Sequence, residues 1–322
     1  MDLSIYRTHI GELKMSNLLI TGGTGTIGQA IVDKLYKTWE GKIIIYSRDE
    51  SKHAAMMEKY PEGGESGLRY LIGDICDYER LRYAMKDVNI VIHAAAMKHI
   101  DKCEYNPFES MRVNVEGSIN VAKACIGRGV QCCTFVSTDK ACNPVSAYGA
   151  QKYSSERMFI GCNNMGGTRF NVVRYGNVWG SRGSFLAKWE KIKEHKGTIS
   201  LTDPEMTRFF WDIGEAADFV IDHMISLDRG CVYIPKLGSK SMMDIAMQYS
   251  HNIEITGMRC PEKIHEELIS APESLFTYDQ GTHYTIYPGQ HDWSKKVGCV
   301  GVKVHDGFRY SSGGLIPKQW MI

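Results

Sequence analysis

A glycine-rich loop near the start of the chain constrains its fold more than any other feature. Residues 21–28 read Thr-Gly-Gly-Thr-Gly-Thr-Ile-Gly, after an apolar run and before an amphipathic stretch. Glycines at this spacing let the backbone turn tightly and approach a pyrophosphate, which then lies at a helix N-terminus. Between a strand and a helix, this pattern predicts a dinucleotide site. The predicted contacts are Gly22, Thr24, Gly25, Thr26, Ile27 and Gly28.

The first half of the chain alternates β-rich runs with helical patterns. The helix after the loop is predicted over 29–37, and strands are predicted over 17–21, 42–46, 69–72, 89–93, 131–137 and 170–173. Strands separated by helices form βαβ units with a parallel sheet. The sequence therefore predicts an α/β fold: a Rossmann-type, doubly wound parallel sheet with a smaller C-terminal substrate lobe.

The end of the second predicted strand determines the choice of cofactor. Ser47 and Arg48 suit the 2′-phosphate of NADP, whereas NAD sites usually carry an acidic residue here. Asp49 keeps NAD open, and Arg48 could instead be a solvated surface charge. Further cofactor contacts are predicted along the same edge: Ser47, Arg48, Asp49, Lys52, Asp74, Ile75, Ala94 and Ala95.

The rhythm of strands and helices changes after residue 175, which predicts two parts. Residues 1–175 are the predicted NADP-binding domain, to which part of 207–235 returns. Residues 176–322 mainly form the substrate lobe, and the cleft between the parts is the expected ligand site. Residues 1–16 are interpreted as a short extension ahead of the first strand.

Charge and composition exclude several classes of partner. The formal net charge is +1, which gives no field directed at nucleic acid or a membrane surface. No apolar run reaches the ~18 residues of a membrane span. The ten cysteines show no Cys-x-x-Cys spacing, which favours thiols in a reducing compartment and predicts no metal site. The expected location is the cytoplasm.

Tyr148 and Lys152 are the predicted catalytic pair. Residues four apart share one helical face, and these two follow the hydroxyl-bearing end of the fifth predicted strand. A tyrosine acting as a base at neutral pH needs its pKa lowered by about 3 units, or about 4 kcal/mol. Nearby positive charge favours the phenolate. Lys152 and an oxidised nicotinamide ring are the two expected sources, so both residues also count as cofactor contacts.

The loop and this pair together resemble the extended short-chain dehydrogenase/reductase superfamily. A closer resemblance, from about residue 17 to about 288, is to the inverting UDP-N-acetylglucosamine 4,6-dehydratases; it is carried by 94–100, 138–148, 174–183 and 202–209. Thr138-Asp139-Lys140 is the most specific motif. Retaining dehydratases usually show Asp-Glu there, and epimerases usually show neither acid nor lysine.

The resemblance implies a reaction and a role for each catalytic residue. Tyr148 takes the proton of the sugar 4-hydroxyl, and Thr138 hydrogen-bonds the reacting oxygen. Lys140 is the base at carbon 5 and must be partly neutral, while Asp139 is the acid for the departing 6-hydroxyl. The structural alternative is that Asp139 and Lys140 form an exposed ion pair at a helix start.

The resemblance also implies contacts to a UDP-sugar and a homo-oligomeric assembly. The substrate contacts are Lys98, Asn177, Val178, Arg208, Arg259 and Glu262. Two guanidinium groups in this set suit a diphosphate, which they bind bidentately. Two stretches depart from the family: 259–263 reads Arg-Cys-Pro-Glu-Lys instead of Arg-Pro-Gly-Glu-Lys, and 235–240 fits only in part. The rival interpretations are a sugar-nucleotide epimerase, a retaining dehydratase or a non-catalytic NADP-binding regulator.

Overall fold

The computed structural model describes residues 16–61, 67–181, 185–289, 293–294 and 298–314. Nearly all of the predicted N-terminal extension thus lies outside the described residues. The strands are β1 Leu18–Thr21, β2 Ile43–Ser47, β3 Leu68–Ile72, β4 Ile90–His93, β5 Cys132–Thr138, β6 Arg169–Tyr175, β7 Asn177–Val178, β8 Ile199–Leu201, β9 Thr207–Trp211, β10 Val232–Pro235, β11 Gly238–Ser241, β12 Ile253–Ile255, β13 Glu267–Ile269, β14 Thr277–Asp279, β15 His283–Ile286, β16 Val302–Lys303 and β17 Tyr310–Ser311.

Helices connect most of the strands of the first half. The α-helices are α1 Thr26–Leu35, α2 Glu50–Lys59, α3 Tyr78–Ala84, α4 Ile100–Tyr105, α5 Pro107–Met111, α6 Gly117–Arg128, α7 Ala147–Gly161, α8 Phe185–Glu194, α9 Ile213–His223 and α10 Met242–Tyr249. A π-helix spans Arg112–Glu116, and 3₁₀ turns span Asp139–Ala141, Cys162–Asn164 and Glu273–Phe276. No helix among the described residues has both the length and the apolarity needed to cross a bilayer.

A ten-stranded sheet forms the centre of the molecule. Its strand order is β16-β14-β15-β10-β6-β5-β4-β1-β2-β3, and the seven strands from β10 to β3 run parallel. Every residue of β1 and β4 is buried, because helices cover both faces of a parallel sheet. The predicted Rossmann-type α/β class is confirmed, and all six predicted strands are present.

The first helix begins three residues earlier than the sequence pattern predicts. Gly25 is the N-cap of α1, so the helix starts inside the glycine-rich loop, and it ends at Leu35. The apolar periodicity that defines a helix in sequence is weak over the loop glycines, which is why the pattern misses this first turn. As a result the first N–H groups of α1 lie directly at the loop.

A stack of aromatic rings fixes α7 against the sheet. The ring of Phe135, on β5, lies 4.9 Å from that of Phe159 on α7, which in turn lies 5.6 Å from Phe170 on β6. All three rings are buried, and each buried aromatic side chain contributes about 1.5–3 kcal/mol. The stack holds the helix that carries Tyr148 and Lys152 at the carboxyl ends of β5 and β6.

A second, smaller core lies in the later part of the chain. Its buried members come from α8, β8, β9 and α10 and include Leu186, Trp189, Ile199, Phe210 and Ile245. Strands from the later part also join the main sheet, since β10 pairs in parallel with β6 and β15 pairs with β10. The division into a domain 1–175 and a lobe 176–322 stays a prediction.

Candidate active site

One large cavity, of about 880 Å³, lies along the carboxyl ends of the central strands. This is where ligands bind in doubly wound α/β folds. The predicted residues that line it are Gly22, Thr24, Gly25, Thr26, Ile27, Ser47, Arg48, Asp49, Lys52, Asp74, Ile75, Ala94, Ala95, Lys98, Thr138, Lys140, Tyr148, Lys152, Asn177 and Val178. The structure therefore brings together most of the residues chosen from the sequence.

The glycine-rich loop lines part of this cavity. Gly22 has φ +67°, and a Cβ there would lie 2.8 Å from the backbone of Ala95. A Cβ on Gly28 would lie 2.5 Å from the carbonyl oxygen of Gly23, so this glycine packs beneath the loop and does not line the cavity. The N-cap Gly25 has no side chain to satisfy the first N–H groups of α1. Those groups fit a pyrophosphate.

The residues at the end of β2 have distinct tasks. Ser47 Oγ lies 2.8 Å from both Thr24 Oγ1 and His53 Nε2. Asp49 caps α2 by accepting from the Lys52 amide at 3.0 Å, and it pairs with the Lys52 ammonium. The Asp49 carboxylate is therefore occupied within the protein.

Arg48 belongs to a charged cluster that sequence reasoning missed in part. Its side chain is 58% exposed, and Nη1 lies 3.7 Å from Asp74 and 3.9 Å from Glu109. Arg112 pairs with Glu109 at 2.9 Å and lies 3.9 Å from Asp74. Glu109 and Arg112 come from α5 and the π-helix and follow no recognisable motif. Only the fold places them beside Arg48.

Lys152 lies on α7, and its buried side chain packs against β5. Its Nζ donates to the carbonyl oxygen of Val136 at 2.6 Å and lies 3.8 Å from the centre of the Phe135 ring. Burial lowers the pKa of Lys152 to about 7, although Glu156 opposes this. The neighbouring His93 is also affected, because burial and Lys152 lower its pKa to about 3.

The protein's own groups move the pKa of Tyr148 upwards. Burial is the largest cause, followed by the negative charge of Asp139, while a hydrogen bond with Thr138 acts in the opposite direction. Lys152 is one predicted source of positive charge for the phenolate, but burial also disfavours the ammonium of Lys152. The same desolvated helix face thus disfavours both the phenolate and the ammonium.

Asp139 and Lys140 form a buried ion pair at the end of β5. Lys140 Nζ donates to Asp139 Oδ1 at 2.8 Å, and Thr138 Oγ1 donates to the same oxygen at 2.9 Å. Asp139 is 0% exposed and Lys140 is 19% exposed. The interpretation as an exposed ion pair is therefore wrong. Lys140 lines the cavity, and Asp139 lies behind it.

A second carboxylate approaches Lys140 from a distant segment. Glu266 Oε1 lies 3.7 Å from Lys140 Nζ, and the side chain of Glu266 is 5% exposed. Burial would lower the pKa of Lys140, but Asp139 and Glu266 outweigh it, so the pKa is raised. These two carboxylates thus favour the ammonium form of Lys140, whereas the resemblance implies a partly neutral amine. No motif marked Glu266 as a partner of this lysine.

Three predicted substrate contacts do not line the cavity. Arg208 is buried, and its guanidinium donates to three backbone carbonyl oxygens at 2.7–2.9 Å: those of Thr207, Lys263 and Ile264. Arg259 pairs instead with Asp101 at 3.2 Å and with Glu262. A role for Arg208, Arg259 and Glu262 in substrate binding stays a prediction.

The cavity has further lining residues that carry no sequence signal. The basic residues His99 and Lys102 line the cavity together with Lys98. Three apolar side chains from α8 and β9 also line it: Phe185, Leu186 and Phe210. Among the residues that the structure describes, His, Cys, Asp and Glu form no group of three that could hold a metal ion. The cavity thus combines proton-transfer groups, a basic edge and an apolar wall.

The doubly wound sheet, the glycine-rich loop and the Tyr–Lys pair define an enzyme of the extended short-chain dehydrogenase/reductase class. Within that class, the chain belongs to the polysaccharide biosynthesis protein family, whose model matches residues 18–288.

Similar proteins align with nearly the whole chain. A UDP-N-acetylglucosamine 4,6-dehydratase (inverting) of Campylobacter jejuni strain NCTC 11168 is 44% identical over 92% of both chains. A protein of the same name from strain 81-176 is 43% identical over 94% of both chains. The crystal structure of Pen from Bacillus thuringiensis is similar at a TM-score of 0.83, with 33% identity over 92% of both chains.

Proposed function

We propose that this chain is an NADP-dependent dehydratase that removes water across carbons 5 and 6 of UDP-N-acetylglucosamine, oxidises carbon 4 to a ketone and inverts carbon 5. The observation that carries the proposal is the Asp139–Lys140 ion pair, whose lysine lines the same cavity as Tyr148. The two Campylobacter jejuni relatives support the choice of substrate.

The cofactor is a nicotinamide dinucleotide, and NADP is the form that we propose. When bound, its ring would accept hydride from carbon 4 and later return it to carbon 6. Gly22, Gly25 and the first turn of α1 would hold the pyrophosphate. The exposed Arg48 directly follows β2, while the Asp49 carboxylate forms an ion pair with Lys52. This arrangement favours a 2′-phosphate over a free ribose hydroxyl.

Tyr148 takes the proton of the sugar 4-hydroxyl. Thr138, which lines the cavity and interacts with Tyr148, hydrogen-bonds the same oxygen. Burial raises the pKa of the tyrosine, so the phenolate forms only when positive charge lies close to it. Lys152 supplies part of that charge from the next helical turn.

Asp139 and Lys140 then remove the proton from carbon 5 and protonate the departing oxygen. Passage of one proton from Lys140 Nζ to Asp139, along their 2.8 Å hydrogen bond, produces a neutral amine and a carboxylic acid. The amine accepts the proton of carbon 5, which the 4-keto group has acidified. The acid gives its proton to the 6-hydroxyl, which leaves as water, and carbon 5 later regains a proton of solvent origin on its opposite face. The Thr138 hydroxyl bonded to Asp139 links this acid to the cavity.

The rival functions make less use of these groups. An epimerase oxidises and reduces carbon 4 and needs no base at carbon 5. A regulator that only senses NADP needs no proton-transfer residues at all. A retaining dehydratase resembles the proposal in every step except the face on which carbon 5 regains its proton.

The test is incubation with UDP-N-acetylglucosamine in deuterated water, followed by NMR of the product. We expect a 6-deoxy-4-keto sugar with deuterium at carbon 5 and inverted configuration there. Lys140→Ala should oxidise carbon 4 but fail to eliminate water, while replacement of the exposed helical Lys123 by alanine should change nothing. Retained configuration would contradict inversion, and a product that keeps its 6-hydroxyl would contradict the dehydratase.

The proposal extends to the setting of the enzyme. The partner is a UDP-sugar, with no nucleic acid or membrane partner, and the assembly is a homo-oligomer. All ten cysteines are free thiols, which supports a reducing compartment such as the cytoplasm. Size-exclusion chromatography with light scattering would test the assembly.

A further inference from the structure

Glu266 is a buried carboxylate beside the Asp139–Lys140 ion pair. It lies one residue before β13 and is 4% exposed. Its backbone amide donates to Ser312 Oγ at 2.9 Å, and its carbonyl oxygen accepts from the Ser312 amide at 2.8 Å. Because the backbone is fixed on both sides, the carboxylate has a defined place 3.7 Å from Lys140 Nζ.

We propose that Glu266 is a positioning residue for Lys140, which holds its ammonium between two carboxylates and so sets the pH at which proton removal from carbon 5 begins. This inference rests on the proposed function. A buried carboxylate facing a cavity lysine is costly unless cations compensate it. Here Lys263 Nζ lies 3.4 Å from Glu266 Oε2, and Arg208 adds a second positive charge.

The surroundings of Lys140 determine the direction of the effect. The charged, titratable and hydrogen-bonding side chains that face this cluster come from five parts of the chain: Thr138, Asp139, Tyr148, Asn177, Arg208, Lys263 and Glu266. Replacing Glu266 by glutamine leaves Arg208 and Lys263 without their shared counter-charge. Two uncompensated cations then disfavour the Lys140 ammonium, so the amine becomes available at lower pH.

The experiment measures deuterium incorporation at carbon 5 against pH, with the full-length enzyme, its cofactor and UDP-N-acetylglucosamine. In Glu266→Gln the pH at which exchange rises should move down by about 1–3 units, the range for loss of one close opposite charge. The KM for the sugar nucleotide should not change, because Glu266 does not line the cavity. A separate readout, oxidation at carbon 4, should also keep its wild-type rate, since it depends on Tyr148.

Glu267 supplies a matched control. It is the next residue, is 8% exposed, and pairs with Asn143 and Arg309 instead of the catalytic lysine. Glu267→Gln should keep the wild-type pH profile. An equal shift in this variant would overturn the inference, because it would show a general effect of removing buried charge.

A second variant keeps the test open if Glu266→Gln does not fold, as judged by circular dichroism. Lys263→Met removes a cation that compensates Glu266, so the carboxylate should favour the Lys140 ammonium more strongly. Its exchange profile should move to higher pH. If each of the two variants that folds keeps the wild-type pH profile, the role of Glu266 is overturned, but the proposed function is not. Failure of the wild type to exchange carbon 5 would instead overturn the proposed function.

Discussion

Replacing Lys152 by methionine should make the protein more stable near neutral pH while abolishing catalysis. The pKa of Lys152 falls from 10.5 to about 7 on burial, which corresponds to a cost of about 5 kcal/mol for the charged form. Methionine fills a similar volume without charge. It leaves the Val136 carbonyl without its 2.6 Å hydrogen bond, at a cost of about 1–3 kcal/mol. The net gain at about pH 6 is about 2–4 kcal/mol.

The advantage of the variant should depend on pH in a defined direction. Between the native pKa of about 7 and the unfolded value of 10.5, the unfolded state of the wild type binds the extra proton, so wild-type stability rises with pH. At about pH 9 the remaining cost of Lys152 is about 2 kcal/mol. The variant and the wild type should then be nearly equal in stability.

Urea unfolding followed by circular dichroism at about pH 6 and about pH 9 measures both values. Lys123→Met is the matched control, since Lys123 is an exposed residue of α6 and its loss should alter stability little at either pH. The reasoning is refuted if Lys152→Met is less stable than the wild type at about pH 6, or if its advantage does not shrink as pH rises.

Three further changes test the site. Tyr148→Phe should stop oxidation at carbon 4, read by product NMR, and leave the affinity for the sugar nucleotide within a few-fold by calorimetry; substantial turnover would remove Tyr148 from the mechanism. Arg48→Ala should weaken NADP by about 10–100-fold, from the loss of a charged hydrogen bond of about 1.5–3 kcal/mol, and leave NAD almost unchanged; equal weakening would contradict its role. Gly28→Ala places a Cβ 2.5 Å from a backbone oxygen and should cost about 1–3 kcal/mol in urea unfolding. Its control, Gly161→Ala, has nothing within 4 Å and should be neutral or stabilising, by up to about 1 kcal/mol.

Local patterns were sufficient to predict the main residues that line the cavity. A single tight turn requires the glycines of the loop, and a shared helical face requires the four-residue spacing of Tyr148 and Lys152. Both requirements are local, so both can be recognised in a short stretch of sequence. The same holds for the sheet, because each buried parallel strand is a short apolar run. These features could be predicted because their physical cause lies within a few residues of each other.

The protonation of the pair at the end of β5 could not be predicted in this way. Lys140 was expected to be partly neutral, whereas Asp139 and the remote Glu266 favour its ammonium form. Likewise, Arg208 matches a diphosphate-binding pattern in sequence, yet backbone carbonyls of the 263–264 segment take up its guanidinium. A guanidinium group donates hydrogen bonds to oxygen acceptors, but only the folded structure determines which acceptors lie within reach.

The sequence by itself predicted the parallel sheet, the glycine-rich loop and the choice of Thr138, Tyr148 and Lys152 as candidate reactive groups. The tertiary structure alone decided how those groups are charged, since burial and through-space Coulomb interactions depend on segments far apart in the chain. The pKa of Lys152 is low because the folded chain buries its ammonium, and that of Lys140 is raised because Asp139 and Glu266, the latter from the later part of the chain, both lie beside it. The local sequence pattern indicates neither the burial of Lys152 nor the approach of Glu266 to Lys140.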